Sequence, residues 1–306
     1  MRIVVHGQQA FGKAVLEALL KRGETIVAVY CGPEKEGQKI DPLKEAAVAK
    51  GLPVFQPKSY RKPEVWEQFA SLKSDLCVMA YVTLFVPEEV LNLPTHGTIQ
   101  YHPSLLPKHR GPSSINWPLI WGEKKTGLSI FWPDNGLDTG PILLQKEVPI
   151  QDDDTLGSIY FDKLFPMGVE AMLEGVDLVK AGKAPKIKQD ESQATYEGWC
   201  KAENVEIAWA KPVHEVYNLI RGASPQPGAW TKVQGKTVQV FESLKVAGGS
   251  QGATGEVLAV DDKGLLVAAQ GGQILIQRVR PEGGAKTAAQ DFAKAAGIKP
   301  GARLGA

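Results

Sequence analysis

A histidine and an aspartate, each set in a rigid turn, are the residues of this chain best placed to do chemistry. His102 lies in Gln100-Tyr-His-Pro-Ser-Leu-Leu-Pro-Lys-His-Arg-Gly111, and Asp138 in Asp134-Asn-Gly-Leu-Asp-Thr-Gly140. Proline and glycine fix such loops, and loops at strand ends are where catalysis usually sits. An imidazole with a carboxylate beside it can take and return a proton at neutral pH, the carboxylate setting the tautomer or supporting the charged ring. Acid/base work on a carbonyl group is the chemistry this implies, and a buried pair that only braces two loops is the alternative. Ser104 is a poor nucleophile, because Pro-Ser-Leu-Leu-Pro is not the G-x-S-x-G elbow that exposes a serine.

The remaining candidates weaken on inspection. Of five histidines, His6 and His96 read as structural and His109, beside Arg110, as exposed or anion-facing. None of them forms the i, i+4 helical pair of a zinc site, so no metal is expected. Gly7-Gln-Gln-Ala-Phe-Gly-Lys13 approaches a phosphate-binding loop, but Ala14 stands where a magnesium-binding hydroxyl is required. A tight glycine turn is the better reading there, and the dinucleotide fingerprint G-x-G-x-x-G is absent.

To hold His102 and Asp138 the chain offers a strand at Ile3–His6, an amphipathic run at Lys13–Arg22 and a strand at Thr25–Tyr30. Strand, helix, strand implies parallel pairing with a crossover, and hence a doubly wound, Rossmann-like α/β sheet. Val54-Phe55, Leu76–Tyr81 and Thr98–Tyr101 continue it as strands, with helical patterns at Pro63–Leu72 and Pro87–Leu93 between them. Ser129–Trp132 and Ile142–Val148 read as a late hairpin-like pair. Asp154–Gly182 reads as one long helix capped by Thr155. We expect a first domain over 1–182, then a polar, Pro-punctuated linker or strap over 183–204. From 205 to 306 a helix at Pro212–Ile220 and short strands at Thr237–Phe241, Thr254–Val260, Leu265–Ala269 and Gln273–Val279 suggest a small, OB-like β-barrel.

With 43% hydrophobic and 23% charged residues and a net charge of +1, the chain is globular and has no strong overall field toward nucleic acid. Residues 205–306 are mildly basic, 12 Lys and Arg against 8 Asp and Glu. Three widely spaced cysteines argue against a disulfide framework, and no window approaches the roughly 18 apolar residues of a membrane span. The opening Met-Arg-Ile-Val-Val-His reads as a strand rather than a signal peptide, so a cytoplasmic protein is expected.

The motif His-Pro-Ser-Leu-Leu-Pro-x-x-Arg-Gly at 102–111, with Gly-Leu-Asp-Thr-Gly at 136–140, closely resembles the 10-formyltetrahydrofolate-dependent formyltransferases. Ser-Ile-Asn-Trp at 114–117, Ser-Ile-Phe-Trp at 129–132 and Ala-Thr-Tyr-Glu-Gly at 194–198 are similar to the hydrolase domain of 10-formyltetrahydrofolate dehydrogenase. Pro227-Gly-Ala-Trp-Thr, Gly235-Lys-Thr-Val, Arg280-Pro-Glu-Gly and Pro300-Gly-Ala-Arg-Leu-Gly resemble instead the barrel of methionyl-tRNA formyltransferase. The resemblance implies a catalytic trio of an Asn, a His two residues later and a distant Asp. The last two fall on His102 and Asp138, while Gln100 holds the Asn position, one methylene longer. It implies 10-formyltetrahydrofolate as co-substrate, lodged against Tyr81, Leu84, Phe85 and Pro87, the Ser104, Leu105, Leu106 and Pro107 loop, and the turn of Asp134, Gly136 and Leu137.

The acceptor stays open. The loop after the second strand, Gly32–Asp41, is short, with Lys35 and Lys39 against Glu34, Glu36 and Asp41. That balance weakens an initiator-tRNA reading, since phosphate binding rewards dense positive charge; the basic tail domain supports it. Transfer to methionyl-tRNA, hydrolysis to formate, transfer to a sugar or other small amine, and non-catalytic folate sensing are the alternatives.

Overall fold

A computed structural model describes residues 1–34, 37–246, 248–249 and 252–305. Lys35 and Glu36, counted above in the short loop, lie outside the described residues.

The chain opens with β1 (Arg2–Gly7), α1 (Gln9–Lys21) and β2 (Thr25–Tyr30), followed by α2 (Pro42–Ala49) and β3 (Val54–Phe55). Then come α3 (Pro63–Ser71), β4 (Leu76–Ala80), α4 (Glu88–Leu91) and β5 (Thr98–His102). After α5 (Asn116–Ile120), β6 (Lys125–Phe131) and β7 (Ile142–Pro149) complete a seven-stranded sheet ordered β3-β2-β1-β4-β5-β6-β7. Pairs from β3 to β5 are parallel, and β6 runs antiparallel to β5. Strand order reverses between β1 and β4, the point where open α/β sheets place their ligands. All five β4 residues, Leu-Cys-Val-Met-Ala, are buried, as a parallel strand covered on both faces requires.

The expected helix over 154–182 is a single helical stretch with an irregular middle. Thr155 caps α6 (Leu156–Ser158) in a capping box, residues Ile159–Leu164 form a π-helix, and α7 (Phe165–Lys180) follows. Pro166 has no N–H to give the preceding turn, and the wider turn lies just before it. Helix α7 packs over β5: a Cβ on Gly168 would stand 2.6 Å from the Tyr101 ring and 3.0 Å from Phe11. Gly168→Ala is therefore expected to destabilise by about 1–3 kcal/mol, overpacking outweighing the roughly 1 kcal/mol that alanine gains in a helix; a denaturant midpoint checks it.

Gly7 and Gly12 also serve packing. A Cβ on Gly7 would overlap the Ala80 carbonyl oxygen, and one on Gly12 would press on Leu43 at 3.1 Å. The Asp41 carboxylate occupies the start of α1, accepting from Gln9 N–H at 2.9 and 3.1 Å and from Leu43 N–H at 2.9 Å. This is the tight glycine turn, with its anion position filled by the protein's own carboxylate.

By packing, the chain forms two compact units. The first holds residues 1–111, 127–147 and 163–196, and the second 112–126, 148–162 and 197–306. The division differs from the expected bounds, because polar side chains tie two early segments to α8 (Val213–Gly222) within the second unit. Asn116 donates to the carbonyls of Gly222 and Gln226, Arg221 to those of Gln151 and Asp154, and Tyr217 to Asp153. The expected linker is split as well, its residues up to 196 belonging to the first unit.

The second unit continues with β8 (Ala229–Val233), β9 (Lys236–Val240), β10 (Ser243–Val246), β11 (Val257–Asp261), β12 (Gly264–Ala269) and β13 (Gly272–Ile276). It ends with β14 (Arg278–Pro281), β15 (Thr287–Ala288) and α9 (Ala289–Ala296). These strands form two antiparallel four-stranded sheets, β10-β13-β12-β11 and β15-β14-β9-β8, around a core that includes Trp209, Ile220, Val257 and Ile274. No described helix is long and apolar enough to cross a membrane.

Candidate active site

Strand β5 sets the site's geometry. Side chains alternate along a strand, so with Tyr101 stacked on Phe11 beneath α7, Gln100 and His102 face the opposite side. His102 ends the strand, buried, opposite Ser129 of β6. The loop beyond it is pinned by Ser129, whose hydroxyl donates to Ser104 O at 2.7 Å and accepts from Leu106 N–H at 3.1 Å. Gln145 donates to Leu106 O and to the same hydroxyl.

One contact defines the state of the imidazole. His102 Nε2 lies 2.8 Å from His109 O. A carbonyl can only accept, so Nε2 carries the proton and Nδ1 is the nitrogen left for chemistry. Nδ1 faces Asp138 Oδ2 at 3.6 Å. Asp138 is itself buried, holds φ +56°, and accepts from Gly111 N–H at 2.8 Å. Gln100 is half-buried, and its side-chain amide makes no hydrogen bond among the described residues.

The flanking His109, expected to be exposed or anion-facing, is buried, and Arg110 beside it is fully buried. Arg110 pairs with Glu191 at 2.7 and 2.9 Å, with Tyr196 Oη and with Gln189 Oε1 at 2.8 and 3.1 Å. Glu191 and then Tyr196 hold the guanidinium charged and push its pKa upward against the cost of burial. His6 is buried: burial lowers its pKa to about 3, and Tyr60 Oη lies 2.9 Å from its Nε2.

The residues expected at the folate pocket separate into two groups. Tyr81 and Leu84 line a small pocket at the ends of β1 and β4, with His6, Gln8 and Thr83. Tyr81, Phe85 and Leu137 are exposed. Pro87 opens α4, where Asn135 caps Glu88 N–H at 3.0 Å, joining the 134–137 turn to the 81–87 segment. Asp134 fastens that turn by accepting from Gly136 N–H and the Thr139 hydroxyl. Ser104, Leu105 and Leu106 are turned into the protein instead. Ser104 donates its hydroxyl to Lys108 O, Leu106 packs on Phe131 and Ile142, and Leu105 leans against Gly127. Pro107 accepts Thr195 N–H through its carbonyl. Among the described residues no cluster of three or more His, Cys, Asp or Glu could hold a metal.

Residues 1–174 match the formyl transferase family, and residues 200–297 match the formyl transferase C-terminal domain. The chain belongs to the formyl transferase family. It is 38% identical to the methionyl-tRNA formyltransferase of Geotalea uraniireducens (strain Rf4), across 100% of this chain and 98% of that protein. It is 46% identical over 248 residues to the mitochondrial 10-formyltetrahydrofolate dehydrogenase of Mus musculus, covering 79% of this chain. The match spans 27% of that relative, so this formyl transferase corresponds to about a quarter of the dehydrogenase's length. Among solved structures, HypX from Aquifex aeolicus in complex with tetrahydrofolic acid shares the fold at TM-score 0.71 and 20% identity, over 97% of this chain and 47% of HypX. The sugar 3N-formyl transferase WlaRD shares it at TM-score 0.69 and 16% identity, over 90% of this chain and 97% of that one.

Residues that sequence reasoning overlooked stand around this site. Gln189, Glu191 and Tyr196 sit in the segment read as a linker, and all three contact Arg110. Only the Ala194-Thr-Tyr-Glu-Gly198 resemblance pointed at this segment.

Proposed function

We propose that this formyl transferase moves the formyl group of 10-formyltetrahydrofolate to the amino group of methionyl-tRNA, in the cytoplasm. The observation that carries the chemistry is the arrangement of His102: Nε2 donates to His109 O, and Nδ1 faces the buried Asp138 carboxylate at 3.6 Å. The amine nitrogen adds to the formyl carbon, and negative charge develops on the formyl oxygen. His102 Nδ1 takes the proton that the attacking nitrogen sheds, and Asp138 stabilises the imidazolium so formed. Gln100, two residues back on the same side of β5, brings an amide N–H to the oxyanion. The bond from the formyl carbon to N10 then breaks as N10 regains a proton, leaving tetrahydrofolate. The folate lies across Tyr81, Leu84 and Phe85 and the Asp134–Leu137 turn, an apolar wall beside exposed backbone groups. The acceptor assignment rests on likeness to methionyl-tRNA formyltransferase along the whole chain.

Hydrolysis to formate is the second reading, favoured by the higher identity, 46%, to 10-formyltetrahydrofolate dehydrogenase. One assay separates the two: consumption of 10-formyltetrahydrofolate by the purified protein, with and without methionyl-tRNA. Consumption that requires the tRNA and yields formyl-methionine supports transfer, whereas formate released without acceptor supports hydrolysis. Gln100→Asn provides a sharper test of the oxyanion role. Oxyanion donors act only at about 2.7–3.1 Å, so restoring the shorter amide is expected to hold or raise kcat. A tenfold loss would show instead that the site is built around the longer side chain.

A further inference from the structure

We infer that Gln189 is the positioning residue for Asp138, holding the backbone from which the carboxylate projects; this rests on the catalytic reading of His102 and Asp138 given above. Asp138 needs such a hold. It carries a side chain at φ +56°, a conformation sparsely populated outside glycine, and it follows a turn whose Leu137 is exposed. The Gln189 amide is buried and donates to Asp138 O at 2.9 Å and to Gly140 O at 2.6 Å, the two carbonyls flanking Thr139. Its oxygen accepts from Arg110 Nε at 3.1 Å and Nη2 at 2.8 Å. Four partners fix the amide's orientation, because a flipped amide would set N–H against N–H and oxygen against two carbonyls.

The arrangement closes on itself. Arg110 orients Gln189, Gln189 holds the Asp138 backbone, and Gly111, the residue after Arg110, gives its N–H to the Asp138 carboxylate at 2.8 Å. Both ends of Asp138 are thus referred to one dipeptide, itself paired to the 195–196 segment through Arg110 N–H to Thr195 O at 3.0 Å. Nothing else in the described residues donates a side-chain hydrogen bond to the Asp138 carbonyl. Gln189 touches neither ring nitrogen of His102, so its effect on turnover must pass through Asp138.

The test is a double-mutant cycle between Gln189→Glu and Asp138→Asn. Gln189→Glu keeps the oxygen that Arg110 requires and removes both N–H donors, so the fold and the Arg110 network survive. Gln189→Asn, which withdraws the amide by one methylene, serves where the charged variant disturbs folding. Either variant is expected to lower kcat roughly 10- to 100-fold, the scale of an ångström-sized misplacement, with KM for 10-formyltetrahydrofolate changed less than about twofold. In the Asp138→Asn background the same change is expected to cost less than about twofold in kcat. Wild-type kcat in both Gln189 variants, alongside an impaired Asp138→Asn, overturns the inference and leaves the catalytic reading standing. So does a full multiplicative loss in the double variant, which marks general damage. Full activity of Asp138→Asn alone overturns the catalytic reading and the positioning role with it.

Discussion

His102→Ala is expected to lower kcat by roughly 10²- to 10⁴-fold, the usual worth of a positioned acid/base, while leaving folate binding nearly unchanged. The ring stands at the end of β5 with Nε2 committed to His109 O, so the loss falls on Nδ1. No neighbouring group can replace it: Asp138 is acceptor-only when ionised and is held by Gly111 N–H, and Gln100 has no proton to exchange at neutral pH. The substitution also carries a structural cost. Alanine leaves a small cavity and deprives His109 O of a donor, for about 1–3 kcal/mol. The ligand-free protein therefore unfolds at lower denaturant, but circular dichroism is expected to show an intact fold. Two measurements separate the effects, kcat under saturating substrates and folate affinity by fluorescence quenching. Added imidazole is expected to recover part of the activity by filling the space the ring leaves. Unchanged kcat in the purified variant would sink the proposed chemistry, since among the described residues no other imidazole pairs with Asp138.

What the sequence made legible, and what it hid, follows from how each kind of residue signals its place. Strands β1, β2 and β4 are apolar runs that each start on or just after a charged residue, Arg2, Glu24 and Asp75, so their extent could be read within a residue or two. The His102 loop and the Asp138 turn were readable because proline and glycine punctuate them. Helix α9 was missed because its apolar stripe, Ala289, Phe292, Ala293 and Ala296, is made mostly of alanines, which signal burial weakly; packing against the second unit's core makes it a helix. The apolar run at 273–279 was read as one strand. It is two, because the chain leaves one sheet after Ile276 and enters the other at Arg278.

The 183–196 segment misled for the opposite reason. Its polar side chains look solvated, yet Gln189 is 4% exposed and Arg110, its partner 79 positions earlier, is 0% exposed. Periodicity rules read hydrophobic burial; a buried polar network carries no period, and its partners are distant in sequence. The exposed alternative for His109 failed for the same cause, since it adjoins an arginine that is buried yet paired with Glu191. The exposed side chains at the proposed folate pocket, Tyr81, Phe85 and Leu137, were by contrast within reach of resemblance alone.

Asp138→Asn is expected to reduce kcat by roughly 10²- to 10³-fold, close to the loss from His102→Ala and larger than that from Gln189→Glu. The change is nearly isosteric, and the amide oxygen can still accept from Gly111 N–H, so the turn is expected to keep its shape. What goes is the charge facing Nδ1 at 3.6 Å, in a site where both side chains are more than nine-tenths buried. There, water cannot substitute for the lost carboxylate, and an imidazolium formed as the amine sheds its proton is left without a counter-charge. A second penalty attends only a flipped side chain, which gives up Gly111 N–H because one oxygen, Oδ2, serves both contacts: with its N–H₂ at Nδ1, asparagine would occupy the lone pair that must take the proton, locking the ring in an unproductive state, as in a buried Asp→Asn change behind a catalytic histidine. The two penalties differ in their signature. Loss of charge alone can be offset by a more acidic attacking amine, which needs less help from a base, whereas a blocked lone pair cannot. Comparing methionyl-tRNA with a small amine acceptor of lower basicity in the Asp138→Asn variant therefore reports which dominates. A variant as active as the wild type with either acceptor would reduce Asp138 to a brace for the His102 loop.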